Sequence, residues 1–161
     1  MRAIRIAIVV ASVLAVVGSG PVAGGDARPM TGRFSATVLP VAQRCGSDAL
    51  TIGFAISGVA SHLGRLTGTG SNCTEPTLAT SAVAIWDGET TLTAADGSTV
   101  TTVSSGIQDA PVGGIATFAI THTVTGGSGR MADASGVWSL SGTINFLTGE
   151  VEGTVDGWLS Y

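Results

Sequence analysis

Leu50-Thr51-Ile52-Gly53-Phe54-Ala55-Ile56-Ser57 decides the fold of this chain. Large apolar side chains hold every second position, and small or polar residues hold the positions between. Alternation with period two is the mark of a strand that buries one face and wets the other. Working outward, Phe34, Ala36 and Val38 share a face on the N-terminal side, in a segment that ends near Pro40. On the C-terminal side a glycine-rich segment runs from Leu63 to Ser71, then Ala82–Trp86 and Thr90–Ala95 flank Asp87-Gly88. Asp96-Gly97 separates the latter from Ser98–Val103. Asp-Gly pairs relieve the positive φ of hairpin turns, so both are read as turns.

The last third repeats the theme. Ile115–Val124 forms a long strand; Trp138, Leu140, Gly142, Ile144 and Phe146 share a face of the next, and Val151–Leu159 follows a Thr148-Gly149 turn. Eight or nine strands result, and no helical stripe competes with them. Glycine recurs inside the strands, as in Gly68-Thr69, Gly142-Thr143 and Gly153-Thr154. That suits bent strands in close approach, which a small closed barrel requires. Closure would also hide the sheet edges of a chain with few charges to guard them. An open sandwich is the rival architecture.

Composition narrows the function. Only 11% of the 161 residues are charged, the net charge is −4, and all seven basic residues are arginine. No basic run exists to neutralise a phosphate backbone, so nucleic acid is not an expected partner, nor is an anionic membrane surface. The N-terminus has the three-part layout of a secretory signal. Arg2 and Arg5 precede the apolar run Ile6–Val17, and small residues lead to a cleavage region near Ala23-Gly24-Gly25 or Gly25-Asp26-Ala27. That run is shorter than the roughly 20 residues that span a bilayer, so no stable membrane insertion is expected after cleavage. The expected organisation is a signal over residues 1–27, a short tether over 28–32 containing Pro29, and one barrel domain over 33–161. The protein is then secreted or held in the cell envelope, and Cys45 and Cys73 are expected to form a structural disulfide there.

Three stretches together carry a resemblance: Ser61-His62-Leu63-Gly64-Arg65-Leu66-Thr67, Ser71-Asn72-Cys73, and Thr125-Gly126-Gly127-Ser128-Gly129-Arg130-Met131-Ala132-Asp133-Ala134-Ser135-Gly136. The sequence from about Ala49 to its end resembles the bacterial secreted members of the allene oxide cyclase barrel-like family, relatives of dirigent proteins. Met131 and Asp133 depart from it, standing where the family has an aromatic residue and a glycine. The resemblance implies an all-β, eight-stranded antiparallel closed barrel of calycin or dirigent-like form, with an apolar lumen. It also implies homo-oligomers and, in some members, cyclase or stereochemical guidance of small hydrophobic molecules. No catalytic position transfers residue by residue.

Candidate site residues follow from the alternation. His122 falls on the face of Ala116, Phe118, Ile120 and Val124, an apolar set that points to the core or lumen. A neutral imidazole there suits a general base or a group that orients a polar ligand. A partly wet histidine near a strand end is the alternative. Trp138 either lines a ligand cavity or fills the core. Arg65 offers a fork for an anion, or braces the barrel through Glu152 or Asp156. Glu150, Glu152, Thr154, Asp156 and Trp158 share one face of the last strand, where two carboxylates could divide acid and base duties or simply form the wet side, and Trp158 suits a subunit contact. Two histidines 60 residues apart offer no metal-ligand spacing, and neither a metal nor a cofactor is expected. The candidate ligand set is therefore His122, Phe118, Ile120, Trp138 and Arg65. The expected function is binding of a small hydrophobic molecule in the lumen. The alternatives are a cofactor-free cyclase or isomerase and an extracellular structural module.

Overall fold

A computed structural model describes residues 26–75 and 81–161. The expected secretory signal lies, apart from its last two residues, outside the described residues. Eight strands follow one another: β1 (Arg28–Leu39), β2 (Leu50–Ala60), β3 (Gly64–Thr74), β4 (Val83–Ala94), β5 (Thr99–Gln108), β6 (Ile115–Ser128), β7 (Ser135–Asn145) and β8 (Glu150–Ser160). Each pairs antiparallel with its neighbour in sequence, and β1 pairs with β8 to close the barrel. The closed form is the one that the in-strand glycines and the scarcity of edge-guarding charges favoured over an open sandwich.

Two expectations are corrected. Arg28–Gly32 is no tether but the first part of β1, and Met30 within it is wholly buried. Pro29 is tolerated because this end of β1 pairs only with β8; pairing with β2 begins at Gly32. The barrel domain thus starts at Arg28. Asp87-Gly88 does not turn the chain either. It is an irregularity within β4, where the register shifts against both β3 and β5. Asp87 takes a φ of 46°, so the residue types that suit a hairpin serve a bulge instead. Asp96-Gly97 does form the β4–β5 hairpin turn, with Gly97 donating its N–H to the Ala94 carbonyl.

One end of the barrel is plugged. Short connections there place Leu63 between β2 and β3, and Met131 in a single 3-10 turn, Gly129–Met131, between β6 and β7. Both pack with Met30 and Leu159, and all four are at most 1% exposed. Burying each contributes roughly 1.5 to 3 kcal/mol. A polar clamp sits outside this plug. The Arg130 guanidinium pairs with Asp96, donates to the His62 carbonyl, and lies 5.3 Å from the centre of the Tyr161 ring. The Ser98 N–H and Arg130 together hold the Asp96 carboxyl below its usual range. The stretches 61–67 and 125–136 therefore meet at the plug.

The opposite end carries longer connections, including residues 40–49 between β1 and β2. Cys45 in that segment is disulfide-bonded to Cys73 on β3. Arg44 donates to the Ser71 carbonyl and to the Asp87 carbonyl, so the same segment also ties down the β4 bulge.

Candidate functional site

Inward side chains do not fill the barrel above the plug. They leave a cavity of about 100 Å3, bordered by Phe34, Phe54, Ile56, Ile120, Leu140 and Trp138 among others. Phe34 on β1 and Phe118 on β6 approach one another with ring centres 6.4 Å apart and planes tilted at 58°. The alternation read from the sequence puts Phe118, Ile120, His122 and Trp138 on this interior, and all four border the cavity.

Strand register brings a second set of residues beside them. Ser104 on β5 pairs with Gly88 on β4 and with His122 on β6, and His122 pairs with Trp138 on β7. Asn72 on β3 falls at the shift between the Ser71–Glu89 and Cys73–Trp86 pairs, next to the bulge. Asn72, Gly88, Ser104, His122 and Trp138 therefore follow one another around the wall. Thr90 and Thr102 pair with each other one step closer to the plug. Gly88 is required where it stands, because a Cβ there would collide with the Ser104 hydroxyl.

His122 is buried rather than wet. Its Nδ1 lies 3.0 Å from the Thr102 hydroxyl, and its ring stacks on Trp138 at 5.9 Å and 11°. Desolvation lowers its pKa from 6.5 to about 4, so the imidazole is neutral near pH 7. Among the described residues Nε2 has no hydrogen-bond partner. The same holds for the side chains of Asn72, Thr90, Ser104 and Gln108, which also border the cavity. Asn72 is nevertheless 93% removed from solvent, its relative exposure being 7%.

Arg65 does not belong to this set. β3 enters from Gly64 in the phase that turns Leu66 inward and Arg65 outward, where it is exposed. It makes no ion pair with Glu152 or Asp156; the ion pair found among the described residues is Arg130–Asp96. Glu150, Glu152, Asp156 and Trp158 lie on the outer, exposed face of β8. Every side chain turned to the lumen by the eight strands is uncharged, and Arg33, which borders the cavity, is itself exposed on the outward phase of β1. Among the described residues no cluster of three or more His, Cys, Asp or Glu side chains is placed to hold a metal.

The polar members Asn72, Thr90, Thr102, Ser104 and Gln108 were missed from sequence. Counting in twos from Leu66 reaches Asn72 through Gly68 and Gly70, and from Val100 reaches Thr102, Ser104 and Gln108. No apolar residue marks those steps, so only the register makes them visible. At the end away from the plug Leu39, Val41, Val112, Ile115 and Leu147 are exposed, from 39% at Leu39 to 83% at Val112.

Among the described residues no helix is long and apolar enough to cross a membrane. No protein-family model matches the chain, and no curated protein matches it.

Proposed function

We propose that this protein is exported and holds one small, largely apolar molecule in the lumen of its barrel. The observation that carries the reading is the unfilled cavity above a fully packed plug. Eight strands leave an interior that side chains can fill or that can hold one small ligand. Here the plug shows that the chain packs tightly where residues reach inward, so the space above it is a property of the design. A dry apolar cavity of about 150 Å3 takes a benzene ring; the 100 Å3 here is about two-thirds of that, so the occupant is at most about one ring and uses the opening of the cavity as well. The exposed apolar residues at the unplugged end suit entry of such a molecule. Export is supported by the N-terminal pattern and by the Cys45–Cys73 bridge, since bridges persist in oxidising compartments. The resemblance to barrel-like cyclases points the same way.

A cofactor-free isomerase is the second reading, favoured by the unpartnered Nε2 of His122 beside the cavity. Such catalysis would come from holding a flexible substrate in one conformer, because an imidazole with a pKa near 4 is a weak base at neutral pH. Mass spectrometry of an organic extract of the purified protein tests the main reading. One recovered compound in near-stoichiometric amount is expected. An empty extract, with no shift of the Phe118, Ile120 and Leu140 amide signals on adding one-ring aromatics, would overturn it. A recovered compound that the protein converts to an isomer would favour the second reading.

A further inference from the structure

One side of the cavity is hydrocarbon, and the other sets its polar groups among Leu66, Ile85, Leu92, Phe118 and Ile120. Phe34, Ile56, Leu140 and Val155 present hydrocarbon from β1, β2, β7 and β8. Facing them from β3 to β6 are the Asn72 amide, the Thr90 and Ser104 hydroxyls and the imidazole of His122. Buried polar groups in folded proteins are almost always hydrogen-bonded, to protein, to ordered water or to a ligand. Thr102 and His122 satisfy one another at 3.0 Å. Thr90 and Ser104 are only half-buried, and they and the Asn72 amide keep polar atoms open to the cavity, where water or a ligand can partner them. The bulge at Gly88 and the segment carrying Arg44 and Cys45 hold Asn72 and Ser104 on this wall. No cation faces the lumen to balance an anion, and an unpaired carboxylate is costly to bury.

We propose that the lumen selects an uncharged molecule of about one ring that bears a hydroxyl, carbonyl or amide along one edge, and that it rejects carboxylates. The proposal rests on the lumen-binding reading above. In the bound state the polar edge meets Asn72, Ser104 and His122 Nε2, and the hydrocarbon edge meets the phenylalanine and leucine side. Asn72 brings both a donor and an acceptor, so it reads either kind of group. A purely apolar guest would displace water from these groups without replacing its hydrogen bonds, which weakens binding.

Titration of the 15N-labelled protein at pH 7 with toluene, benzyl alcohol and benzoate tests this. Water-to-hydrocarbon transfer alone favours toluene over the alcohol. Benzyl alcohol is nevertheless expected to bind at least as tightly as toluene, and benzoate to leave the lumen signals unmoved. Asn72→Leu should weaken the alcohol about fivefold, the scale of one hydrogen bond, while toluene binds unchanged or tighter. If Asn72→Leu fails to fold, Ser104→Ala gives the same readout. Toluene binding well above the alcohol, or benzoate binding equal to it, would overturn the polar edge while leaving lumen binding intact. Binding of none of the three would remove both.

Discussion

The two halves of this barrel are built from the same eight strands and the same alternation, yet one is solid and the other partly hollow, with a packed cluster of Ala36, Ala116, Phe118, Ile144 and Val151 beside its open space. In the plugged half Met30, Leu63, Met131 and Leu159 are sealed from water. In the hollow half Phe34, Phe54, Ile56, Ile120 and Leu140 point inward too but remain partly exposed. The difference lies in the connections. Short turns at one end drive Leu63 and Met131 back into the interior, whereas at the other end the Cys45–Cys73 bridge ties the long segment 40–49 to β3. Strand phase sets which way a side chain points; what the turns insert sets whether the space is filled.

The largest expected effect follows from that contrast. Met131→Ala should destabilise the protein by about 4 kcal/mol in urea unfolding, because a sealed site leaves a cavity. Leu140→Ala should cost about half as much, since its neighbourhood is already open. Equal losses at the two positions would break the distinction between the halves.

The disulfide comes next. Serine at Cys45 and Cys73 removes a bridge across 28 positions, and about 3 to 4 kcal/mol of stability should go with it. The polar wall should loosen with it, because the Cys45 segment also holds the β4 bulge. Faster amide exchange at Asn72 and Ser104 than at Met131 in that variant would sharpen the comparison; uniform acceleration would blur it.

Sequence made the hollow half's apolar side legible and hid its polar side. The faces of Ile115–Val124 and of Trp138–Phe146 could be phased because large apolar residues recur along them. The phase of β3 could not, since Gly68, Gly70, Asn72 and Thr74 give no hydrophobic rhythm, so nothing in the sequence showed that Arg65, offered as an anion fork, points outward. Asp87-Gly88 misled for a physical reason: a positive φ serves a bulge and a hairpin equally. Pro29 concealed the start of β1 because proline argues against a central strand; it is acceptable here because β2 does not pair with that end of β1.

The smallest of these effects concerns His122, which stands between the halves. Its folded pKa of about 4 lies below the 6.5 of the unfolded chain, so the unfolded state takes up its proton first as pH falls. Stability is then whole above pH 6.5 and declines toward pH 4, by roughly 3 kcal/mol in all. His122→Asn should remove that part of the acid sensitivity, read as the difference between two urea-midpoint profiles over this range. Parallel profiles would mean that the imidazole is solvated and that the wall behind it is wet from outside.

Whether the space above the plug is a binding lumen is tested most directly by electron density within it. A high-resolution crystal structure of the purified protein should show ordered water or a small molecule within hydrogen-bond distance of Asn72, Ser104 and His122 Nε2, with Phe34 and Leu140 across from it. An interior closed by Phe54, Ile56 and Ile120 packed against those polar groups, with no density between, would contradict it.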